Sequence, residues 1–407
     1  MRNRVDKIMM KKIFLLILSV LLFFETAKAN EANEANKIRM LFVGDIMAHQ
    51  QQLDAAKYKG KDKTKINTWD FSPQFRRIRP MIENAFLIGN LETVFAGAGK
   101  KMNYTGYPTF NTPDSLADTL LDLKFDLLTL ANNHIFDKGA SGARRTTEVL
   151  DSRDITWIGL GLDRGISDDV IVLEHEGFKI AFINYTYGSN IYPKSSDVRL
   201  NIISEDAIQK SIELAKTFKP DIITACFHWG YEYHHSPSVH QKKAAEVAFN
   251  AGADLIVGTH PHVLQPIEIS FSNDDRVRAV AWSLGNFVSF QRTLPRERTC
   301  ILSVEFEKDE DLGFTKITRV SVAPLYVYAP GQKRTEITYA GSYEPLIKEL
   351  DFSGISKQQA KKIRDIGNAI IEFLGANVKD IDEYGFYTLW TEVSPDIMPI
   401  SRRKTPK

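Results

Sequence analysis

Residues 254–262 read DLIVGTHPH, an apolar run that ends in two histidines separated by a single proline. The same pattern, an apolar run followed at once by polar side chains, recurs along the chain. It occurs as IRMLFV before Gly44 and Asp45, FLIG before Asn90 and Glu92, FDLLTLA before Asn132 to His134, and DIITACF before His228. Such runs are typical of buried strands, and the carboxyl ends of parallel strands share one edge of a sheet. Asp, Glu, Asn and His gathered at one edge are the ligands of a divalent metal ion, so the pattern predicts a metal site.

The composition is that of a folded globular protein. Of the 407 residues, 43% are hydrophobic and 25% are charged, which argues against a disordered chain. The length suits one large domain with an appendage, or two domains. The formal net charge of +1 creates no overall field that would attract nucleic acid, so a nucleic-acid-binding protein is disfavoured.

The first 29 residues have the pattern of a secretory signal peptide. Lys and Arg side chains precede a predominantly apolar run at residues 13–24, and Ala27 and Ala29 are the small residues that a signal peptidase reads. The run is shorter than the ~20 residues of a spanning helix, which favours a cleaved signal over the alternative, a retained anchor. The sequence therefore predicts an exported protein that is periplasmic, at the cell surface or associated with the membrane.

The rest of the chain divides into three parts. We predict a polar linker at residues 30–37, a large domain at 38–328 and a partly helical extension at 329–407. In the first part of the domain, strands alternate with helices predicted at 114–123, 143–150, 205–218 and 239–250, which is typical of a parallel sheet. Hairpins are predicted at 170–185, 267–284 and 300–322, and a further helix at 357–374. The chain is therefore predicted to be α/β, with mixed sheets packed face to face and helices outside.

Two cysteines, Cys226 and Cys300, lie in apolar strand-like runs. We interpret them as two buried thiols, although export would also allow a disulfide between them.

The carboxylates and amides at the strand ends are the first candidate ligands. A single strand-end Asp such as Asp45 is often only a turn former. With Glu92 after the neighbouring strand, however, two carboxylates would repel each other unless a cation lies between them. The amide of Asn133 suits the same metal, His134 could protonate a leaving group, and Asp137 could hold the other ring nitrogen of His134.

Three histidines complete the candidate set. A lone strand-end histidine such as His228 is more often a hydrogen-bonding residue than a ligand. His260 and His262 follow the next strand, however, and Pro261 stiffens the turn between them. Three imidazoles from adjacent strand ends favour a metal site, and with the carboxylates they suit two ions that activate a water for hydrolysis. We assign a substrate-contacting or supporting role to six further residues near these strand ends: His49, Asn90, Asn132, Glu232, Tyr233 and Asn286.

Six motifs in this order resemble the CapA/PgsA capsule-biosynthesis family, also called the PGA_cap domain. They are GDIM at 44–47, GNLE at 89–92, NNHIFDKG at 132–139, HWGYEY at 228–233, GTHPH at 258–262 and SLGNF at 283–287. That family resembles the calcineurin-like metallophosphoesterases. The resemblance implies a four-layer αββα sandwich with a two-metal centre, and a role in making poly-γ-glutamate capsule or a related anionic polymer.

The phosphoesterase pattern also implies how the ligands divide. Asp45 and His262 would hold one metal, Glu92 would bridge, and His134 would be the leaving-group acid. The second metal would take its remaining ligands from three residues: Asn133, His228 and His260. One position departs from the pattern, because Met47 stands where the phosphoesterases have a histidine. A thioether is a poor ligand for a hard cation, so the first metal would be weakly held or absent unless His49 compensates.

Two hypotheses follow for the function. The first is an exported hydrolase with two divalent ions (Mn, Fe or Zn) that cleaves a phosphoester or an amide of a cell-envelope component. The second is a non-catalytic assembly or export factor that binds the capsule polymer in the same cleft. In both, the expected partners are an anionic polymer or its precursor and membrane-bound capsule synthesis or export proteins.

Overall fold

The computed structural model describes residues 36–59, 68–83, 85–99, 102–162, 169–272, 275–309, 313–329 and 335–392. The predicted signal peptide, nearly all of the predicted linker and the basic carboxyl-terminal end lie outside these ranges. Within them, no helix is both long and apolar enough to cross a membrane.

The secondary structure alternates strands and helices over the first part of the chain and is mainly strands over the second. The strands are β1 Lys37–Ile46, β2 Phe86–Leu91, β3 Phe125–Thr129, β4 Trp157–Ile158, β5 Leu160–Gly161, β6 Ile171–His175, β7 Phe178–Thr186, β8 Arg199–Leu200, β9 Ile222–His228, β10 Leu255–Thr259, β11 Ile267–Phe271, β12 Val277–Ala281, β13 Asn286–Val288, β14 Arg298–Asp309, β15 Phe314–Tyr328, β16 Glu336–Tyr339 and β17 Tyr387–Thr391. The helices are α1 Gln50–Ala56, α2 Arg79–Ile82, α3 Ser115–Asp122, α4 Gly139–Asp151, α5 Glu205–Thr217, α6 Val239–Ala251, α7 Glu344–Glu349 and α8 Lys357–Leu374, with a short 3-10 turn at Ser72–Gln74.

Two mixed sheets form the centre of the molecule. The first has the order β16-β15-β14-β1-β2-β3-β4, with β13 beside β1 and β17 beside β15. The second has the order β11-β12-β10-β9-β7-β6. In the first sheet β1, β2 and β3 are parallel to one another, and in the second sheet so are β7, β9 and β10. The two strands of each hairpin pair antiparallel with each other. This is the mixed α/β arrangement that the sequence predicts.

The two sheets pack face to face. Alternate residues of β1 point to opposite sides of the first sheet. Met40 and Phe42 belong to a buried cluster that also contains Phe182 of β7 and Leu255 of β10, from the second sheet. Because both faces of each sheet are covered, the parallel strands are apolar along their whole length rather than alternating.

Helices cover the two outer faces. Leu41 on the other side of β1 packs in a cluster with Leu120 of α3 and Ala143 of α4. On the far side of the second sheet, Ile183 of β7 lies in a cluster with residues of α5 and α6 such as Ile212 and Ala248. The molecule is therefore a four-layer αββα sandwich, and the predicted fold class is confirmed.

Capping residues determine where the helices of the second outer layer begin and end. The side chain of Ser238 accepts a hydrogen bond from the backbone of Gln241, and Gly252 ends α6 with a φ of 117°. Ser204 caps α5 in the same way.

The residues after Tyr328 add to the first sheet. Helix α8 begins after Ser356 and covers the range that the sequence predicts, with Ile366 and Ile370 in the core between the sheets. Strands β16 and β17 both pair with β15. The sequence interpretation found no strands here, because each is only four or five residues long and lacks a clear alternation.

Cys226 and Cys300 are both buried and free. They lie in the core cluster between the sheets, so the interpretation as small buried thiols is confirmed.

Candidate metal centre

The candidate residues meet where the carboxyl ends of β1 and β2, from one sheet, face those of β9 and β10, from the other. In the first sheet Asp45 lies opposite Asn90 of β2 and Asn286 of β13. In the second sheet His228 lies opposite Thr259 of β10. The predicted convergence of polar strand ends is thus present in the fold.

Glu92 lies at the centre of this group. Its side chain is fully buried, and neither carboxylate oxygen has a hydrogen-bond partner. The Oε1 atom is 3.8 Å from the Nε2 atoms of His228 and His262 and 4.0 Å from that of His134. A buried carboxylate without partners is costly unless it is protonated or paired with a cation.

Asp45 connects the two sheets. Its Oδ1 atom accepts a hydrogen bond from the Nδ2 atom of Asn90 at 2.8 Å, and its Oδ2 atom is 3.0 Å from the Nδ1 atom of His262. Gly44 precedes it at a point of close approach, because a Cβ there would lie 1.9 Å from the carbonyl oxygen of Gly285. Only glycine allows the turn before β13 to come this near to β1.

Asn133 and His228 form the other side of the centre. The Oδ1 atom of Asn133 is 2.8 Å from Nε2 of His228. The Nδ1 atom of His228 is 3.0 Å from the Thr259 hydroxyl and 3.3 Å from the Asn90 amide. A bound ion would therefore find an imidazole and a carboxamide oxygen already oriented towards the same point.

The turn that carries His260 and His262 has an unusual backbone. Both histidines have positive φ angles, 98° and 58°, in a region that non-glycine residues rarely adopt. Such conformations persist at functional sites when the surrounding structure enforces them. The buried Nδ1 atom of His260 has no partner, and its ring packs against His228 and Tyr187 at centroid distances of 4.7 and 4.6 Å.

Three sets of side chains place donor atoms within 4.8 Å of one another. One set is Asp45, Glu92 and His262, another is Glu92, His228 and His260, and the third is Glu232, His260 and His262. Glu92 is shared by the first two sets, which are both buried. The donors are carboxylate oxygens and imidazole nitrogens, the combination that suits Zn, Mn or Fe. The residues present therefore fit a metal site.

The ionisation of these groups follows from their burial. Desolvation, together with the negative charge of Asp45, raises the pKa of Glu92 well above its usual range. Burial lowers the pKa values of His228 and His260 well below the ordinary value, so both imidazoles are neutral at physiological pH. Neutral imidazole is the form that binds a metal ion, and a bound cation would also favour the ionised form of Glu92.

His134 lies beside the centre in the arrangement expected from the sequence. Its Nδ1 atom is 2.8 Å from Oδ2 of Asp137, and its Nε2 atom faces Glu92. Asp137 also accepts a hydrogen bond from the backbone of Phe110 at 2.6 Å. The carboxylate thus fixes the orientation of the imidazole and leaves Nε2 directed into the site.

Three of the six supporting residues hold the ligands in place. Asn90 binds Asp45, as described above. Asn132 donates to the carbonyl oxygen of Leu91 at 2.8 Å and accepts from the backbone of His134, so it shapes the turn. Asn286 donates at 3.3 Å to the carbonyl oxygen of His262.

The other three supporting residues lie around the centre. His49 is the residue before α1, and its Nδ1 atom accepts a hydrogen bond from the backbone of Phe290. Burial lowers the pKa of His49 to about 4. Glu232 is exposed, although its carboxylate belongs to one of the donor sets, and Tyr233 lies 6.1 Å from the ring of His262.

Three residues of the site were missed by the sequence interpretation. Thr259 binds His228, Phe110 packs on His134 at a ring distance of 4.7 Å, and Tyr187 covers His260. Tyr187 directly follows β7, another strand that ends at this edge, so its position gave a usable signal. Phe110 reaches the site from a long loop and gave none.

The chain is similar to known bacterial capsule proteins. The model of a family described as bacterial capsule synthesis protein PGA_cap matches residues 39–291, more than half of the chain. The chain is 27% identical over 338 residues to the capsule biosynthesis protein CapA of Bacillus anthracis, covering 81% of this chain and 74% of that protein. It is also 27% identical over 296 residues to the PGA biosynthesis protein CapA of Bacillus subtilis, covering 69% of this chain and 70% of that protein.

Among solved structures, the chain is similar to a 5'-nucleotidase from Candida albicans, with a TM-score of 0.41 and 13% sequence identity. That similarity covers 83% of this chain and 59% of the nucleotidase.

Proposed function

Because the chain belongs to the bacterial capsule synthesis protein family PGA_cap, we propose that it is an exported, metal-dependent hydrolase of the cell envelope. Its substrate would be poly-γ-glutamate or a related anionic polymer, or a precursor of one, and the bond cleaved an amide or a phosphoester. The names of the two CapA relatives support a role in capsule formation. The predicted signal peptide supports export.

The observation that carries this proposal is the environment of Glu92. The carboxylate is buried, has no hydrogen-bond partner, and lies within 4.0 Å of imidazole nitrogens from three different chain segments. A buried carboxylate among imidazole nitrogens is stabilised when a cation is bound between them. The burial serves metal binding rather than packing.

The side chains divide into two metal sites that share Glu92. Asp45 and His262 would complete one site, and Asn133, His228 and His260 would complete the other. Glu232 supplies a further carboxylate on the exposed side of His260 and His262. A divalent ion at this centre supplies a Lewis acid and lowers the pKa of bound water, which is the chemistry of metal-assisted hydrolysis.

The protein's own side chains handle the leaving group. Asp137 holds Nδ1 of His134 at 2.8 Å, so the proton that His134 can give away is on Nε2. The Nε2 atom faces the centre, beside Glu92. His134 is therefore placed to protonate the departing oxygen or nitrogen, and Asp137 holds its ring in the orientation that this transfer needs.

One observation favours a second candidate function, a non-catalytic factor that binds polymer or membrane partners during assembly or export. Met47 is buried at the position where the phosphoesterase pattern has a histidine, and its thioether is a poor ligand for a hard cation. An incompletely occupied centre would still recognise an anionic chain but would hydrolyse slowly or not at all.

A metal analysis combined with an activity assay tests the proposal. The purified full-length chain is expected to contain Mn, Fe or Zn and to hydrolyse a generic phosphodiester or a γ-glutamyl amide in a metal-dependent way. His228→Ala and Asn133→Ala should lower both metal content and activity. His240→Ala, which removes an exposed histidine, is the matched control and should change neither.

Full activity in both site variants would rule out the assigned centre. Metal bound in normal amount without any hydrolysis would favour the assembly factor over the enzyme.

A further inference from the structure

Arg296 lies at the mouth of the site, outside the metal-binding set. Its guanidinium carbon stacks over the ring of Tyr233, 3.6 Å from the ring centroid. Tyr233 in turn lies 6.1 Å from the ring of His262. The guanidinium is therefore one aromatic ring away from a candidate metal ligand.

Both members of this stacked pair are attached to the turn that carries the histidines. The backbone N–H of Tyr233 donates to the carbonyl oxygen of Pro261 at 2.7 Å. The side-chain amide of Asn286 donates to the carbonyl oxygens of both His262 and Arg296, at 3.3 and 3.2 Å. The position of Arg296 relative to the centre is thus fixed by hydrogen bonds.

The guanidinium group has no anionic partner among the residues that the structure describes. Across the part of the chain that the structure describes, Arg296 makes no ion pair, and its N–H groups donate no hydrogen bond. The neighbouring Arg292, by contrast, pairs with Glu297 at 2.9 Å and donates to the carbonyl oxygen of Val327. A half-buried arginine held by stacking on one face keeps its N–H edge free for a bidentate contact with an oxyanion.

The charges of the site explain the need for such a group. The donor sets of the centre contain three carboxylates, from Asp45, Glu92 and Glu232. A polyanionic substrate approaching them would be repelled at the parts of its chain that do not contact a metal ion. A fixed positive charge just outside the centre offsets that repulsion.

We propose that Arg296 is a substrate-binding residue that holds a carboxylate of the polyanionic chain while a neighbouring part of that chain enters the metal centre. This inference rests on the proposed function, since it takes the substrate class from there. Tyr233 acts as the positioning residue, because its ring sets the plane of the guanidinium. Exposed Tyr187 and Tyr107 on the rim offer further surface along which a chain can lie.

Equilibrium binding to the metal-loaded, full-length protein tests this inference. The probes are a γ-linked glutamate oligomer and the same oligomer with its carboxylates methyl-esterified. Arg296→Ala should weaken binding of the charged oligomer about tenfold, the usual size for loss of one charge-assisted contact, and leave the ester unaffected. The affinity of Arg296→Lys for the charged oligomer should lie between those of the wild type and Arg296→Ala, because lysine keeps the positive charge but cannot make the bidentate contact.

Arg364→Ala removes an exposed arginine on α8 and is the matched control, expected to bind both probes as the wild type does. Unchanged affinity of Arg296→Ala for the charged oligomer would overturn the inference, and so would an equal loss for both probes, which indicates a structural role. Inorganic phosphate is the third probe, and dependence on Arg296 for phosphate alone would also overturn it.

The outcome is separable from that of the proposed function. Arg296→Ala should keep its metal, whereas His228→Ala should lose it. Failure of the proposed function would appear in the metal content of His228→Ala, and failure of the Arg296 inference in oligomer binding by Arg296→Ala.

Discussion

At the scale of single residues, Glu92 shows the conflict between stability and function most clearly. Its carboxylate is buried near that of Asp45, and no hydrogen bond compensates for the lost hydration. Placed there for packing alone, such a group would be a defect, since buried ionisable groups are normally paired. Its position between imidazoles is compatible with a bound cation, which would offset the unfavourable burial.

Glu92→Gln separates these two effects. Without metal, the variant should be more stable than the wild type by roughly 1–3 kcal/mol, because it no longer has to bury an ionisable carboxyl group that desolvation and the charge of Asp45 both disfavour. Adding metal should stabilise the variant little or not at all, since the amide of Gln is a weaker metal ligand than the carboxylate of Glu92. Chemical denaturation with chelator and then with excess Mn measures both.

The control for this variant is Glu246→Gln on the exposed face of α6. Its stability should equal that of the wild type both with chelator and with excess Mn. A Glu92→Gln protein that is less stable without metal would show that the carboxylate has a structural partner of its own.

Two other residues, Asp137 and Asn90, affect the centre by orienting neighbouring side chains. Asp137 touches neither Glu92 nor the candidate ligands, but it orients His134. Asn90 contacts Asp45 and His228 and so connects the two halves of the centre. These contacts explain why the polar residues form clusters after the strands rather than single positions.

At the scale of elements, each parallel strand performs two tasks. Its apolar body is buried on both faces, and its carboxyl end carries the polar group to a shared edge. Strand β1 illustrates both, because Met40 and Leu41 enter opposite core clusters while Asp45 reaches the centre. The helices keep the strands in position but contribute none of the candidate ligands.

The opposite ends of the strands carry an acid with a different role. Asp254, just before β10, accepts a hydrogen bond from the backbone of Ile223 at the start of β9. Desolvation raises its pKa to about 6, despite the nearby charge of Arg276. In the folded state the carboxyl group therefore stays largely neutral up to about pH 6, whereas in the unfolded state an aspartate titrates near pH ~3.9.

This shift predicts how stability depends on pH. Below about pH 4 the acid is neutral in both states and has no effect. As pH rises towards 6, the unfolded state ionises more readily, so Asp254 destabilises the fold increasingly. Asp254→Asn, which keeps the oxygen acceptor, should raise the free energy of unfolding at pH 7 by roughly 1–3 kcal/mol and change it little at pH 3.5.

Urea denaturation at the two pH values gives the comparison. Asp221→Asn is the matched control, since Asp221 accepts the corresponding hydrogen bond from Lys179 and forms an ion pair with Lys308 at 3.1 Å. That variant should lose stability at pH 7 rather than gain it. A pH-independent effect of Asp254→Asn would contradict the prediction.

At the scale of the whole molecule, the centre lies between the two sheets and takes side chains from both. Asp45 and Glu92 come from the first sheet, and the imidazoles of His228, His260 and His262 come from the second. Metal binding would therefore join the two sheets at one edge. Binding to the folded state alone stabilises it in proportion to the logarithm of the free metal concentration.

Thermal unfolding is expected to show this linkage. With metal at roughly one hundred times its dissociation constant, the wild type should gain about 2.7 kcal/mol, and its Tm should rise by several degrees. Chelator should reverse the shift. His228→Ala should show no such gain, and a metal-dependent Tm that persists in this variant would place the ion elsewhere.

Much of the molecule could be predicted from its sequence for a local reason. Whether a segment is a buried strand depends on its own apolar run, and the end of that run marks where the backbone meets solvent. This is why Asp45, Glu92, Asn133 and the three histidines could be named as candidates together. The helix at Lys357–Leu374 is equally predictable, because its apolar spacing lies within the helix and its capping serine directly precedes it.

The remaining features depended on contacts between distant segments. Phe110 and Arg296 approach the centre from two loops that carry no pattern of their own. Strands β16 and β17 exist because β15 offers them an edge. The sequence by itself determined which segments would be buried and which polar groups would follow them. The tertiary structure decided which of those groups meet, because the order of strands in the two sheets and the pairing of one sheet with the other are set by packing across the whole core.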